Sequence, residues 1–288
     1  MKVLVLGGGG QIATAVRAVA PAHHEVLSKT RAQLDIGDAD AVARTLDAAR
    51  VSWVINGSAY TAVDLAEDLP QQAMAVNDTA VATLVKAAAL AGCRLLHLST
   101  DFVFDGNANR AYLPNDKTNP LSVYGLSKLG GELKVLQAGG SGIVLRTAWV
   151  YASEGKNFVL TMLRLMREKE LVNVVCDQIG TPTWAASAAQ AIWALVELDA
   201  PGGIYHWTDL GVASWYDFAV AIQDEGLARR LLTRAVPIAP ILSTAYPTRA
   251  RRPAFSVLDS SAARAALNTP GKHWRHNLRT MMDELRTL

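Results

Sequence analysis

The first half of the chain alternates short apolar runs with longer segments in which apolar residues recur at helical spacing. The apolar runs predict β-strands at residues 2–6, 25–27, 51–55, 94–98 and 143–151. The segments between them predict helices at residues 12–19, 38–49, 71–91 and 122–137. Strands that are apolar on both faces are typical of a parallel sheet with helices on both sides. We therefore predict an α/β fold built on a doubly wound parallel sheet of the Rossmann type.

The second half of the chain is less regular, and its pattern predicts a smaller lobe. Helical spacing recurs at residues 158–170, 187–198, 215–225, 260–266 and 274–285. We therefore divide the chain into a Rossmann domain at 1–152 and a C-terminal lobe at 153–288. The apolar stretch at 171–176 predicts a strand of the main sheet, so a segment near 171–198 is expected to return to the Rossmann domain. The lobe is expected to pack on the carboxyl ends of the strands.

Composition narrows the class of protein further. The 288 residues are 50% hydrophobic and carry 28 Lys and Arg against 26 Asp and Glu, a net charge of +2. This balance argues against a nucleic-acid binder, which usually presents a basic face. No apolar run of about 18 residues is present, so we expect no membrane span. The start MKVLVLGGGG lacks signal-peptide features, and the two cysteines match no CxxC or zinc spacing, which predicts a cytoplasmic protein.

The first glycine cluster predicts a dinucleotide-binding loop. Gly7, Gly10 and Ala13 fit the pattern GxxGxxA directly after the first strand and at the start of the first helix. Glycines permit close approach of the backbone to a pyrophosphate, and the helix N-terminus offers free N–H groups. Gln11 and Ile12, which open this helix, are expected beside the same phosphates. The alternative is a glycine turn without a ligand, since the pattern alone is weak.

The end of the second strand predicts which cofactor is bound. An acidic residue there would bind the ribose 2′-hydroxyl of NAD, but residues 28–31 read SKTR. Two cations and two hydroxyls suit a 2′-phosphate, so Thr30 and Arg31 predict NADPH, with NADH as the alternative. Asp35 and Ile36 follow where an adenine contact is expected. The two cations could instead simply face solvent.

A tyrosine and a lysine stand at a spacing that suits acid–base chemistry. Tyr124 and Lys128 are four residues apart, which places them on one face of the predicted helix. An ammonium beside a phenol is expected to lower the pKa of the phenol, which can then give its proton to a carbonyl oxygen as a hydride arrives. Thr100, which follows a strand, can hydrogen-bond the same oxygen. A surface Tyr–Lys pair and local capping by Thr100 are the alternatives.

These motifs together resemble the extended short-chain dehydrogenase/reductase superfamily, and within it the dTDP-4-dehydrorhamnose reductase family. The resemblance covers nearly the whole chain and is most specific between residues 99 and 151. It is carried by GGGGQIA near the start, NGSAYTAVD at 56–64, STDFVFDG at 99–106, NPLSVYGLSKLGGE at 119–132, RTAWVY at 146–151, NFVLTMLRL at 157–165, DQIGTPTW at 177–184 and YPTRARRPAFSVLD at 246–259.

The resemblance implies an activity and a set of site residues. The activity is NAD(P)H-dependent reduction of the C4 ketone of dTDP-4-dehydro-L-rhamnose to dTDP-L-rhamnose. The implied catalytic triad is Thr100, Tyr124 and Lys128. The residues implied at the cofactor are Ala59, Tyr60 and Thr61. The residues implied on the side of the dTDP-sugar, which the C-terminal lobe would bind, are Val103, Phe104, Trp149, Asn157 and Arg252. A guanidinium suits a diphosphate, although Arg252 could instead belong to a solvated basic turn.

Departures from the family pattern bear on metals and assembly. In related enzymes the positions of Ala15 and Ala186 often carry glutamates that help to bind a metal ion at a dimer interface. Alanines cannot do so, and we therefore expect no metal and either a monomer or a metal-independent homodimer. The six histidines likewise form no cluster with carboxylates at zinc-like spacing.

Two other functions stay open at this point. One is a different nucleotide-4-ketosugar reductase, or an epimerase that keeps its cofactor bound. The other is a non-catalytic, NADP-binding regulatory subunit that steers a partner enzyme. The intact pair of Tyr124 and Lys128 weighs against a regulator, because a regulator has no chemical need for that pair.

Overall fold

A six-stranded parallel sheet forms the centre of the molecule. The computed structural model describes residues 1–285. The strands are β1 (Lys2–Leu6), β2 (Glu25–Lys29), β3 (Trp53–Asn56), β4 (Arg94–Thr100), β5 (Ile143–Thr147), β6 (Val150–Tyr151), β7 (Val172–Val175), β8 (Ile179–Gly180), β9 (Thr183–Trp184), β10 (Gly203–His206), β11 (Ala213–Ser214) and β12 (Ile238–Ile241). The central sheet has the order β10-β5-β4-β3-β1-β2, with all neighbours parallel. The prediction of a doubly wound α/β fold is therefore confirmed.

Helices cover both faces of the sheet. They are α1 (Gln11–Ala18), α2 (Ala39–Ala49), α3 (Val63–Asp68), α4 (Pro70–Met74), α5 (Ala80–Leu90), α6 (Val123–Gln137), α7 (Phe158–Glu168), α8 (Ala185–Glu197), α9 (Trp215–Ala228), α10 (Ser261–Ala266) and α11 (Trp274–Glu284). Val3 and Val5 of β1 belong to the core formed with α1 and α8, whereas Leu4 and Leu6 belong to the core formed with α2 and α5. Because side chains alternate along a strand, one apolar run supplies both layers.

The helical rod from Pro70 to Leu90 is the one described segment long and apolar enough to cross a membrane. In the fold, 39% of its most apolar window is buried. Its second half, α5, packs against α2, α6 and β4. The apolar side chains of this rod are therefore those of a helix that covers the central sheet.

Helix α6 lies unusually close to this rod, and glycines make the approach feasible. A Cβ atom on Gly131 would lie 2.2 Å from the carbonyl oxygen of Asn77, within the π-helical turn Ala75–Thr79. A Cβ atom on Gly125 would lie 2.2 Å from the carbonyl oxygen of Phe102. Glycines weaken an isolated helix, but here they bring α6 against the backbone of its neighbours.

The C-terminal lobe has its own apolar core, in which α7, α9 and α11 pack together. The structure differs from the prediction that residues 171–176 return to the main sheet, because β7 pairs with β12 in a separate two-stranded sheet. The elements that do return are α8, which packs on α1, and β10, which pairs with β5. Val172 and Val174 are buried in either arrangement, so the apolar pattern cannot distinguish the two sheets. The domain division at residue 152 stays a prediction.

A buried ion pair between Glu132 and Arg146 joins α6 to β5 of the central sheet. The guanidinium of Arg146 donates two parallel hydrogen bonds to Glu132, at 2.8 and 2.7 Å, and both side chains are at most 2% exposed. Arg146 also donates to the carbonyl oxygen of Pro114 at 3.1 Å and to Nε2 of His206 at 3.3 Å. Burial lowers the pKa of His206 to about 3, so its ring is neutral and can accept that bond. The guanidinium is thus held on both sides by partners from different elements.

Candidate active site

A cavity of about 710 Å³ lies at the carboxyl ends of the central strands. The strand order reverses between β1 and β3, and open parallel sheets bind ligands at such a switch point. Gly7, with φ of 76°, sits at this point, where a Cβ atom would lie 2.6 Å from the backbone of Gly57. No residue with a side chain can occupy position 7 without displacing the loop after β3. The glycine loop and the cavity therefore share the place that the topology favours for a ligand.

The loop before α1 fits a pyrophosphate. Gly10 is the N-cap of α1 and offers no side chain to bond the first N–H groups of the helix. A Cβ atom on Gly9 would meet nothing within 4 Å, so the backbone there faces open space. Gly10, Gln11 and Ile12 line the cavity. Free N–H groups and the partial positive charge of a helix N-terminus suit the phosphates of a dinucleotide.

The three predicted catalytic residues line this same cavity. Thr100 is the last residue of β4, and Tyr124 and Lys128 lie on successive turns of α6. Ser122 starts α6 by accepting a hydrogen bond from the N–H of Gly125 at 3.2 Å, which fixes where the helix begins. The structure therefore brings the three side chains into one cavity.

Lys128 belongs to a buried hydrogen-bond chain with His97 and Asn56. Its Nζ donates to the carbonyl oxygen of Leu98 at 2.7 Å and lies 3.2 Å from Nε2 of His97. Nδ2 of Asn56 lies 3.0 Å from Nδ1 of the same ring. The N–H of Ser58 donates to Oδ1 of Asn56 at 3.0 Å, which fixes the orientation of the amide. Nδ1 therefore accepts, and the proton of the neutral ring sits on Nε2, facing Lys128.

The hydrogen bonds that link Asn56, His97 and Lys128 disfavour the charged form of Lys128. Burial lowers the pKa of Lys128 to about 8, while Glu132 acts in the opposite direction. Burial and then Lys128 hold the pKa of His97 well below its usual value, so the ring is neutral. An N–H that faces an ammonium places two donors together, whereas a neutral amine can accept from it. His97 therefore adds to the effect of burial on Lys128.

The phenol of Tyr124 is held in its protonated form. Burial raises its pKa to about 12, and the charge of Asp101 acts in the same direction. Among residues 1–285, Lys128 makes no hydrogen bond to Tyr124. The structure thus differs from the expectation that the lysine lowers the pKa of the phenol, because the ammonium is directed at Leu98 and His97. A protonated phenol is the form that a proton donor needs.

Thr100 already uses its single hydroxyl hydrogen. Its Oγ1 donates to Oδ1 of Asp101 at 3.0 Å and accepts from the N–H of Phe102 at 3.2 Å. Asp101 is 2% exposed, its Oδ2 has no hydrogen-bond partner, and burial raises its pKa to about 6. For Thr100 to bond a substrate oxygen, its O–H must therefore turn away from Asp101.

Trp149 and Arg252, two of the residues predicted on the side of the dTDP-sugar, line the far side of the cavity. Trp149 lines the cavity, has φ of 49°, and stacks on Trp215 with ring centroids 3.5 Å apart. Arg252 also lines it and donates to Oδ2 of Asp64 at 2.8 Å. Arg252 is thus an ion-paired wall residue and not part of a freely solvated turn. A guanidinium at this wall can accept a second anionic partner.

Other predicted residues lie apart from the cavity lining. Val103 and Phe104 are fully buried in a separate core, where Phe104 stacks on Tyr112. They do not face the cavity, because the turn after β4 directs them inward and presents Phe102 instead. Asn157 caps α7 by accepting from the N–H of Leu160 at 3.1 Å. Its Nδ2 also donates to Oε1 of Gln11 at 3.1 Å and to the carbonyl oxygen of Ala152 at 2.8 Å.

Some of the predicted cofactor residues line the cavity, and others lie outside its lining. Ala59 and Thr61 line the cavity, whereas the backbone N–H of Tyr60 donates to Oδ1 of Asn77 at 2.8 Å. Ile36 is 4% exposed and belongs to the core of the sheet, so its side chain does not face an adenine. The remaining predicted residues are exposed near the end of β2 and outside the cavity lining, namely Thr30, Arg31 and Asp35.

Several cavity residues were not predicted from the sequence. They come from loops between elements and from the C-terminal lobe, and they include Phe102, Lys156, Gln178, Trp215 and Ser256. Each belongs to a stretch without a regular apolar pattern or follows a two-residue strand. The stretches that resemble the family around 99–106 and 177–184 are the only signal that marks Phe102 and Gln178.

The positions of the family's metal-binding glutamates lie in a second cavity of about 340 Å³. Ala15 and Ala186 both line it, together with residues of α1, α8 and the loop after β6. A methyl group cannot coordinate a cation, so these two positions do not fit the metal that the resemblance implies.

The doubly wound sheet, the glycine loop at its switch point and the Tyr–Lys pair in one cavity define a nucleotide-binding protein of the extended short-chain dehydrogenase/reductase class. Comparison with known proteins narrows this class. The chain belongs to the RmlD substrate binding domain family, whose model matches residues 1–287.

Individual relatives agree with this assignment. A dTDP-4-dehydrorhamnose reductase of Burkholderia thailandensis is 40% identical over 289 residues, which cover 96% of each protein. The crystal structure of a dTDP-4-dehydrorhamnose reductase from Clostridium acetobutylicum matches with a TM-score of 0.93 at 32% identity, covering 99% of this chain and 100% of that one. A Bacillus anthracis dTDP-4-dehydrorhamnose reductase in complex with NADP also gives 0.93, at 29% identity, covering 98% and 99%.

Proposed function

We propose that this protein reduces the C4 ketone of dTDP-4-dehydro-L-rhamnose to dTDP-L-rhamnose with NADPH. The observation that carries the proposal is that Thr100, Tyr124 and Lys128 line the cavity into which the glycine loop opens. Relatives at up to 40% identity over the whole chain support the reaction and the substrate. The NADP complex of the Bacillus anthracis relative supports the cofactor.

The residues of the chain divide the chemistry between them. NADPH, when bound, supplies the hydride that reaches the ketone carbon. Tyr124 holds the proton that the ketone oxygen needs, and its raised pKa keeps that proton in place until negative charge develops. Lys128 lines the same cavity, and its ammonium is proposed to hold the ribose of the cofactor. Thr100 orients the oxygen once its hydroxyl turns away from Asp101.

The wall opposite α6 is proposed to bind the nucleotide-sugar. Trp149 and Trp215 form a rigid stacked pair at the cavity, which suits contact with a sugar face. Arg252 is proposed to bind the diphosphate, because a guanidinium binds phosphate oxygens in pairs. Its bond to Asp64 holds it at the wall before the substrate arrives. Val103, Phe104 and Asn157 are not included, since they form core or cap contacts.

The proposed reaction is tested with purified protein, dTDP-4-dehydro-L-rhamnose and NADPH. We expect one NADPH oxidised per sugar reduced, followed as loss of the reduced-nicotinamide absorbance. An epimerase would change the sugar without net NADPH oxidation. A regulatory subunit would bind NADPH without turnover, and either result would overturn the proposal. We further propose a cytoplasmic location and a monomer or metal-independent homodimer, the latter because alanines occupy positions 15 and 186.

Arg31 offers a test of cofactor selection. Its side chain is 77% exposed next to the end of β2 and forms a surface ion pair with Asp35 at 3.5 Å, which a 2′-phosphate can replace. We expect Arg31→Asp to lower the ratio of kcat/KM for NADPH over NADH by about ten- to a hundredfold, the value of one hydrogen bond to a charged group. Arg44→Asp, which makes the same charge change on the exposed face of α2, is the control. Equal ratios in both variants would show that Arg31 does not contact the phosphate.

The fall in activity at alkaline pH, its alkaline limb, is expected to report the loss of the Lys128 proton. Its pKa of about 8 means that the ammonium is present below that pH and is lost as the pH rises through it. Since the ammonium is proposed to hold the ribose of the cofactor, kcat/KM for NADPH, which reports ionisations of the free enzyme, should fall above about pH 8. His97→Gln replaces the opposing N–H with an amide oxygen that can accept, and we expect the limb to move upward by about one pH unit. An unmoved limb would contradict this role of His97.

A further inference from the structure

Two consecutive histidines and a glutamate converge at the surface near the C-terminal ends of α1 and α8. His23 and His24 lie in the turn between α1 and β2, and Glu197 is the last residue of α8. Nε2 of His23 lies 3.1 Å from Oε1 of Glu197, and Nε2 of His24 lies 3.4 Å from the same oxygen. The three candidate ligand atoms, one from each residue, all lie within 4.8 Å of one another. Within residues 1–285, no other group of three such side chains lies so close together.

We propose that these three side chains bind a divalent transition-metal ion of the zinc type. Two imidazole nitrogens and a carboxylate oxygen are a recurrent donor set for zinc, with bonds of about 2.0–2.2 Å. Tetrahedral bonds of that length place neighbouring ligand atoms about 3.4 Å apart. The distances of 3.1 and 3.4 Å are close to that spacing, so an ion can enter with small side-chain shifts. The proposal is independent of the proposed reaction.

His24 is held in place in a way that suits a ligand. Its ring is 4% exposed and stacks on Trp193 of α8, with centroids 5.2 Å apart. Trp193 is itself fixed, because its indole N–H donates to the carbonyl oxygen of Val16 at 2.8 Å. Nε2 of His24 is buried, directed at Glu197, and makes no hydrogen bond. At 3.4 Å its contact with Glu197 is too long for a good hydrogen bond, and a metal ion between the two groups would satisfy the buried nitrogen.

The other two ligands leave room for the ion to enter. The side chain of His23 is 67% exposed and that of Glu197 is 40% exposed. Both can adjust toward an ion while His24 stays fixed, and the solvent side supplies the fourth, water-occupied position. The site would join the turn after α1 to the end of α8. It lies at the far end of this helix pair from Ala15 and Ala186, so it is distinct from the family's interface metal.

The simpler reading is a pair of ordinary His–Glu ion pairs, and titration calorimetry distinguishes the two. The full chain is prepared without a tag and with its own Met1, because the terminal amine lies 3.5 Å from Nδ1 of His24. After chelator treatment, the protein is titrated with ZnCl2. We expect one equivalent to bind, with the thermal midpoint raised as zinc is added. MgCl2 should give no binding, since imidazole is a poor ligand for magnesium.

Variants locate the binding. His23→Ala and Glu197→Gln should each weaken zinc binding by at least tenfold and abolish the rise in thermal midpoint. His276→Ala, which removes an exposed histidine on α11, should bind zinc like the parent. Because His23 and Glu197 are exposed, both variants are expected to fold, which circular dichroism checks. Absence of stoichiometric binding by the parent, or unchanged affinity in both variants, would overturn the proposal, whether or not the protein reduces the sugar.

Discussion

Tyr124→Phe is expected to lower kcat for ketone reduction by about two to four orders of magnitude, which is the usual contribution of a general acid. The substitution removes the hydroxyl that carries the proton and leaves the ring. The ring packs edge-on against Phe102 with centroids 5.5 Å apart, so the packing of α6 should be retained. Steady-state kinetics at saturating NADPH and sugar measures the loss.

Two controls make this result interpretable. NADPH affinity, measured by fluorescence titration, should change little, because the cofactor loop and α1 are untouched. Tyr246→Phe removes a hydroxyl from a tyrosine that is 59% exposed and outside the cavity lining, and it should leave kcat unchanged. If Tyr124→Phe retained kcat within tenfold of the parent, another group or water would have to deliver the proton.

Arg146→Met is expected to destabilise the protein by about 3–5 kcal/mol, the usual cost of leaving a buried charge without its partner. The substitution removes the guanidinium, which also lies over the ring of Phe104 at 5.0 Å, and leaves Glu132, which is 1% exposed, without either of its hydrogen bonds. Urea unfolding followed by circular dichroism measures the change, read as a shift of the midpoint at constant slope.

A surface pair provides the comparison. Arg164 and Glu168 form an i, i+4 pair on α7 with side chains 58% and 50% exposed, so Arg164→Met should cost less than about 1 kcal/mol. The double variant Arg146→Met with Glu132→Leu should recover much of the loss, because it removes both charges. Similar costs for Arg146→Met and Arg164→Met would show that water reaches Glu132.

The sequence predicts the inner strands β1, β3, β4 and β5 because they are largely apolar and buried on both faces. The edge strand β10, which is only partly buried, was not predicted. Strand β1 shows the reason: its two sets of alternating side chains enter two different helix layers, and no other arrangement buries both. The lobe is harder, since β6, β8, β9 and β11 are two residues long and carry no period. The partner of β7 is set by the chain near residue 240, which lies too far away in sequence for a local pattern to reveal.

The candidate site likewise contains residues that local sequence predicts and residues that it does not. Tyr124 and Lys128 are predictable because a helix fixes their relation whatever surrounds it. Val103 and Phe104 were misplaced because a short 3₁₀ turn after β4 decides which side chain faces the cavity. The effect of His97 on Lys128 depends on an amide orientation set by the backbone of Ser58, which no spacing rule contains. The cluster of His23, His24 and Glu197 joins residues 173 positions apart, so only the tertiary structure reveals it.

The late position of β10 in the chain has a consequence for synthesis on the ribosome. When residues 1–152 have emerged, β5 is an open sheet edge and the layer of Val3 and Val5 lacks α8. Such an edge can pair with other chains until about fifty further residues arrive. A gene truncated after β6 would thus yield an incomplete, aggregation-prone fragment. A split version of this protein must therefore keep residues 185–206 on the same fragment as residues 1–152.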